Sequence, residues 1–233
     1  MSQADKKICL FVPLHITAPE DIYMANMQAR FFSFCKTKLH LVSVMTIDYD
    51  ATTLFDRMFV KSGTDFLIDL RDKPAAGIVF PTFCAIDKAV EHQCEIMVRI
   101  TQGTSVIDFD RFIALVRKLS AQQTDFICGR KDVCQNIKEH VESLGLKWNM
   151  DSYNYVQGNI IIAGTNLWQK RYKQLPPSVR HYCDDSVFSY LLEMLDGVKP
   201  IFIERDFWYE FRTKDVYLLE SFYNNRKDFA QRG

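Results

Sequence analysis

The chain has 233 residues, with 29 basic and 29 acidic side chains and 48% hydrophobic content, enough apolar matter for a full core. A formal net charge of zero removes the electrostatic ground for a nucleic-acid or anionic-membrane partner, since both draw on surplus Lys and Arg. No apolar run approaches the ~20 residues of a bilayer span, and the longest candidates, such as Gly158-Asn159-Ile160-Ile161-Ile162-Ala163-Gly164, are strand-sized.

The opening residues lead directly into Ile8-Cys9-Leu10-Phe11-Val12 and Pro13, too short and interrupted for a secretory leader, so a reducing, cytoplasmic setting is expected. Seven scattered cysteines form no Cys-x-x-Cys pair and read as buried, reduced thiols. No linker or charge block divides residues 1–233, which are expected to form one domain.

In chain order, residues 8–12 form a β-run and 21–37 carry Ile22, Met24, Ala25, Ala29 and Phe32 at helical spacing. A second β-run covers 39–47, a helix 53–61, a short strand 65–70 and another helix 81–93. The strand 95–101 follows, then a helix over 109–121 with Asp108 as N-cap. This alternation predicts an α/β fold with parallel strands and crossover helices, and places ligands beyond the carboxyl ends of the strands. After residue 122 the pattern changes: 126–128, 155–163 and 199–204 are β-like, a helix is expected over 186–195, and 207–222 is aromatic-rich and mixed.

No Walker-type loop, dinucleotide-binding glycine motif, hydrolase elbow or His-Glu-x-x-His string is present, so ATPase, NAD-dependent, acyl-transfer and zinc-protease readings lose their local support. The first strand is instead followed by Val12-Pro13-Leu14-His15, read as a loop whose backbone lies against a base or ribose, or else as an ordinary turn.

The most specific stretch is residues 95–108, in which Val98, Arg99, Thr101, Ile107 and Asp108 stand in a strand and its following loop. It resembles the central strand of the nucleotide-diphospho-sugar transferase superfamily, shared by GT-A glycosyltransferases and sugar cytidylyltransferases. The resemblance implies a GT-A-like, mixed and mainly parallel sheet flanked by helices, with a nucleotide-sugar-binding half (6–121) and an acceptor and catalytic half (122–233). It implies nucleoside contacts at Val12, Pro13, Leu14 and Asp48, and diphosphate contacts at Arg99, Thr101, Gln102, Gly103 and Thr104. Acceptor or sugar contacts follow at Tyr155, Gly158, Asn159 and Trp208, since aromatic faces and amides suit carbohydrates. Asp184 or Asp185 then supplies the catalytic base, or simply caps the 186–195 helix.

Two departures shape the expectation. Where the family carries an Asp-x-Asp that holds Mn²⁺ or Mg²⁺, this chain reads Gln102-Gly103-Thr104, without a carboxylate; the metal ligands are unknown and a metal-independent site is open. Residues 13–21 hold no Gly, Arg or Lys to clamp a triphosphate. The expected function is therefore transfer of a sugar from a nucleotide-sugar donor to a glycan or other hydroxyl acceptor, in carbohydrate biosynthesis. The alternatives are sugar-phosphate nucleotidyl (cytidylyl) transfer and an inactive GT-A-like binding or scaffold protein.

Overall fold

In the computed structural model, the described residues are 6–50, 61, 63–73, 79–122, 125–133, 137–143, 145, 154–175, 200–203 and 208–210. Strand β1 (Ile8–Ile16) leads into helix α1 (Pro19–Lys36), followed by β2 (Leu41–Asp50), β3 (Phe66–Asp69) and α2 (Val79–Glu91). Next come β4 (Ile96–Ile100), β5 (Thr104–Val106), α3 (Phe109–Ser120), β6 (Ile127–Val133) and the short α4 (Ile137–Ser143). The described elements end with β7 (Asn154–Gly164), α5 (Thr165–Tyr172), β8 (Pro200–Phe202) and β9 (Trp208–Glu210). The expected helices 53–61 and 186–195 lie, in whole or nearly so, outside the described residues.

Among the described residues, seven strands form one sheet in the order β3-β2-β1-β4-β7-β6-β8. Neighbours β3, β2, β1 and β4 are parallel, β7 runs antiparallel to both β4 and β6, and β8 is parallel to β6. The fold is the expected α/β class, with a single reversed strand inside a mainly parallel sheet.

Alternation along β1 explains the layers. Ile8, Leu10, Val12, Leu14 and Ile16 face one apolar cluster, and Cys9 and Phe11 face the other. Both faces of a parallel sheet need cover, and helices provide it. On the first face, Phe31 of α1 packs against Phe109 and Phe112 of α3 with ring centroids 5.0 and 5.2 Å apart, a geometry that adds to area burial. On the second face, Trp168 and Tyr172 of α5 join Ala85, Ile86 and Ala89 of α2. Asp108 caps α3 as expected, accepting from the Arg111 backbone N–H at 3.0 Å, a bond worth about 1 kcal/mol to the helix. Of the cysteines, five are described and free, and burial pushes the Cys94 and Cys128 thiols up to about 11 and about 12.

Candidate functional site

Because β2, β1 and β4 are adjacent and parallel, their carboxyl ends share one edge. The reversed β7 brings its opening residues to the same edge: Ile100 pairs with Ile160, and the Thr101 N–H donates to the Asn159 carbonyl at 3.0 Å.

Strand β1 continues beyond Pro13, which the sequence reading treated as loop. Pro13 lacks an N–H, and it sits past the last β1–β4 pair, Phe11 with Arg99, where one ladder has already ended. The register with β2 shifts between Leu14 and Ile16: Leu14 pairs with Ile47, and Ile16 with Asp50. His15 therefore stands opposite Asp48 and Tyr49, in a bulge of the kind that re-aims side chains. Its ring Nδ1 lies 2.9 Å from Asp48 Oδ1; the His15 side chain is 65% exposed and that of Asp48 only 16%. A carboxylate can only accept, so the bonded Nδ1 carries the proton.

The tight turn 101–103 joins β4 to β5. The Thr104 N–H donates to the Thr101 carbonyl at 3.0 Å, and the two threonine hydroxyls lie 2.7 Å apart. The Gln102 side chain is bonded at both ends: Oε1 accepts from the His15 backbone N–H at 2.6 Å, and Nε2 donates to Asp21 Oδ1 at 2.9 Å. The other oxygen of Asp21 collects the Thr17 and Ala18 backbone N–H groups at 2.8 and 2.9 Å, which closes the first turn of α1.

Strand β7 is irregular at this edge. Gly129 of β6 pairs with Ile161 and the next residue, Arg130, pairs with Gln157, so Gly158, Asn159 and Ile160 have no counterpart on β6. Asn159 is 4% exposed, and its Nδ2 has no hydrogen-bond partner among the described residues. A buried amide donor left unmatched costs about 1–3 kcal/mol, and such groups mark places where a ligand or water completes the structure.

Burial shows where several of the expected contact residues lie. Val12 and Leu14 are strand residues whose side chains belong to the core, so Pro13 and His15 alone present side chains outside that cluster at the end of β1. Arg99 is fully buried within β4 and does not form an open rim. Thr104 begins β5 and is buried, which leaves Thr101, Gln102 and Gly103 partly exposed in the turn. Trp208 pairs with Val106 and packs in the core at 1% exposure, so its face meets protein instead of forming a sugar platform. Tyr155 and Gly158 lie at the start of β7, at the expected edge. Asp184 and Asp185 lie outside the described residues. Sequence reasoning missed His15 as a partner of Asp48 and the role of Asp21; the apolar alternation of Val12, Leu14 and Ile16 across Pro13 was the available signal that β1 continues.

A divalent ion does not fit the turn: Gln102 is engaged at both amide atoms, Thr101 and Thr104 bond each other, and no carboxylate belongs to the turn. Among the described residues no group of three His, Cys, Asp or Glu side chains could hold a metal. Among them, too, no helix is long and apolar enough to cross a membrane.

No family model matches the sequence, and no curated protein does. Solved structures match the fold. Residues 1–349 of Staphylococcus aureus TarS align over 95% of this chain at 12% identity and a TM-score of 0.56, and the same protein in complex with UDP-GlcNAc aligns at 0.55. A cytidylyltransferase from Leptospira borgpetersenii serovar Hardjo-bovis aligns over 96% of this chain and 99% of its own, at 14% identity and 0.52. A mannosyltransferase from Pyrobaculum calidifontis, in complex with GDP-Man and Mn²⁺, aligns over 86% of this chain at 15% identity and 0.50. This chain spans 66% of the length of TarS 1–349 and 55% of the mannosyltransferase. The shared feature is the fold: the GT-A-like arrangement expected from residues 95–108 is the arrangement observed.

Proposed function

We propose that this chain is a glycosyltransferase that takes a sugar from a nucleotide-sugar donor and gives it to a hydroxyl acceptor. The observation that carries the reading is the convergence on one sheet edge of the His15–Asp48 pair, the Gln102 turn and the unmatched Asn159 amide. Ligands of open α/β sheets bind at that edge, and structures of the same fold hold UDP-GlcNAc and GDP-Man.

In this account the end of β1 and Asp48 hold the nucleoside, and the backbone N–H groups of Gln102 and Gly103, in the partly exposed turn, meet the diphosphate. Asn159, beside Thr101, donates to a sugar or acceptor oxygen. The acceptor oxygen attacks the anomeric carbon, the bond from that carbon to the diphosphate oxygen breaks, and the acceptor proton passes to the carboxylate of Asp184 or Asp185. No metal ion is assigned to the Gln102 turn. The protein acts in the cytoplasm, in carbohydrate biosynthesis.

The test is release of nucleoside diphosphate from UDP- and GDP-sugars in the presence of candidate hydroxyl acceptors, with Asp184→Asn and Asp185→Asn as controls. Undiminished activity in both variants removes the base assignment. One rival has a specific observation behind it, the near-complete mutual coverage with the Leptospira cytidylyltransferase. Pyrophosphate release from a nucleoside triphosphate and a sugar phosphate would favour it. Against it, only Thr17 and Ala18 separate β1 from α1, and neither is a Gly, Arg or Lys that would hold a triphosphate.

A further inference from the structure

Gln102 stands where an acidic motif is expected, and its two amide atoms face partners of opposite kinds. His15 N–H offers a donor and Asp21 Oδ1 an acceptor, at 2.6 and 2.9 Å. An amide answers both. A carboxylate, which only accepts, answers the first and opposes the second, and an ammonium does the reverse. Residue 102 is thus fixed as Gln by two partners 87 and 81 residues distant in sequence. The bond also falls at a telling place. His15 lies in the β1–β2 register shift and has passed beyond the last β1–β4 pair, where the sheet itself holds the backbone least. Gln102 there ties the tip of β1 both to the β4–β5 turn and, through Asp21, to the first turn of α1.

We propose that Gln102 is a positioning residue: its amide, clamped between His15 and Asp21, orients the His15–Asp48 pair that receives the donor nucleotide. The proposal rests on the nucleotide-sugar reading above, and deepens it: this chain has converted the position of a metal ligand into a strut. The consequence is that an acidic residue at 102 weakens donor binding, with or without Mn²⁺, in place of restoring a metal site.

A swap of donor and acceptor tests this. Gln102→Glu sets two carboxylates against each other, whereas Asp21→Asn combined with Gln102→Glu restores one donor and one acceptor, and still lets residue 21 accept from Thr17 and Ala18 through its amide oxygen. Calorimetry with UDP- and GDP-sugars should show donor Kd raised about tenfold or more in Gln102→Glu, and returned to within about threefold of wild type in the double variant. In parallel, ¹⁵N NMR of the His15 ring, which needs no donor, should show the Nδ1-protonated form in wild type and the double variant, and a mixture of tautomers in Gln102→Glu.

Wild-type affinity in Gln102→Glu overturns this inference and leaves the nucleotide-sugar reading standing. So does a double variant that stays as weak as the single, or a His15 ring indifferent to both changes. A wild-type protein that binds neither sugar nucleotide overturns the reading itself, and the inference with it.

Discussion

Asp65 takes two hydrogen bonds from one residue: the backbone N–H of Ser43 donates to its Oδ2 at 2.8 Å and the Ser43 hydroxyl at 3.0 Å. The Lys36 ammonium completes the set at 2.9 Å from Oδ1, so one carboxylate joins the end of α1, strand β2 and the approach to β3. Desolvation works to raise the Asp65 pKa, but the Ser43 and Lys36 bonds outweigh it and hold the carboxyl below its usual range.

The pH consequence has a definite sign. A carboxyl whose folded pKa is depressed contributes its full stability above the unfolded value, about 3.9, and loses it as pH falls through the folded value. Asp65→Asn should cost about 1 kcal/mol at neutral pH, a modest figure because the side chain is 40% exposed. Urea unfolding at neutral pH and near pH 3 checks it: the gap between wild type and variant narrows in acid. A gap of constant size would show that the carboxylate charge is irrelevant.

Gly63 touches the backbone of α1. A Cβ built on it would sit 2.7 Å from the Cβ of Ala29 and 2.8 Å from the Ala29 carbonyl oxygen, and a helix backbone cannot give way as a flexible side chain can. Gly63→Ala should therefore destabilise the protein by about 1–3 kcal/mol, read as a lower midpoint in denaturant. An unchanged midpoint would mean that this approach is looser than the structure has it.

The described thiols should be poor nucleophiles. Cys9 and Cys35 are raised well above the usual value by burial, and Cys128 and Cys94 reach about 12 and about 11, chiefly through desolvation. At pH 8 about one thiol in a thousand, or fewer, is then ionised at Cys94 and Cys128. Native-state alkylation followed by peptide mass spectrometry should leave Cys9, Cys35, Cys94 and Cys128 unmodified, with full labelling in denaturant. Rapid native labelling at Cys128 would contradict the burial of its side chain in the apolar cluster on one face of the sheet.

Trp168 links a surface helix to the central strand through its ring N–H, which donates to the Met97 carbonyl at 3.2 Å. Trp168→Phe keeps most of the apolar contact and loses that bond, so a cost of about 1–2 kcal/mol is expected in thermal or denaturant unfolding. A loss near zero would assign the anchoring of α5 to packing alone.

The fold was legible where the signal is local. The apolar runs that became β1, β2 and β4 were apparent, as was the Asp108 cap, because period and capping chemistry are written in adjacent residues. The reversal of β7 was not legible, since side-chain alternation is the same whichever way a strand runs. Strands β5 and β9 have three residues each and pair across about a hundred residues, too short for any periodic signature. The site follows the same division. Asp48 and Gln102 were singled out from strand ends, but the contacts that give them roles, His15 to Asp48 and Gln102 to Asp21, span 33 and 81 residues. Such pairs arise only when the sheet brings the tips together. The burial of Val12, Leu14, Arg99 and Trp208 was not legible either, because the sequence does not say which face of an element is covered.

The central claim is that a nucleotide sugar lodges at the carboxyl edge formed by β1, β2 and β4. Backbone amide NMR during titration with UDP- and GDP-sugars tests it most directly. The account predicts saturable shifts concentrated at His15, Asp48 and Gly103, with Glu95 and Gly164 at the opposite end of the sheet unmoved. Shifts confined to that opposite end, or none with either donor, would contradict it.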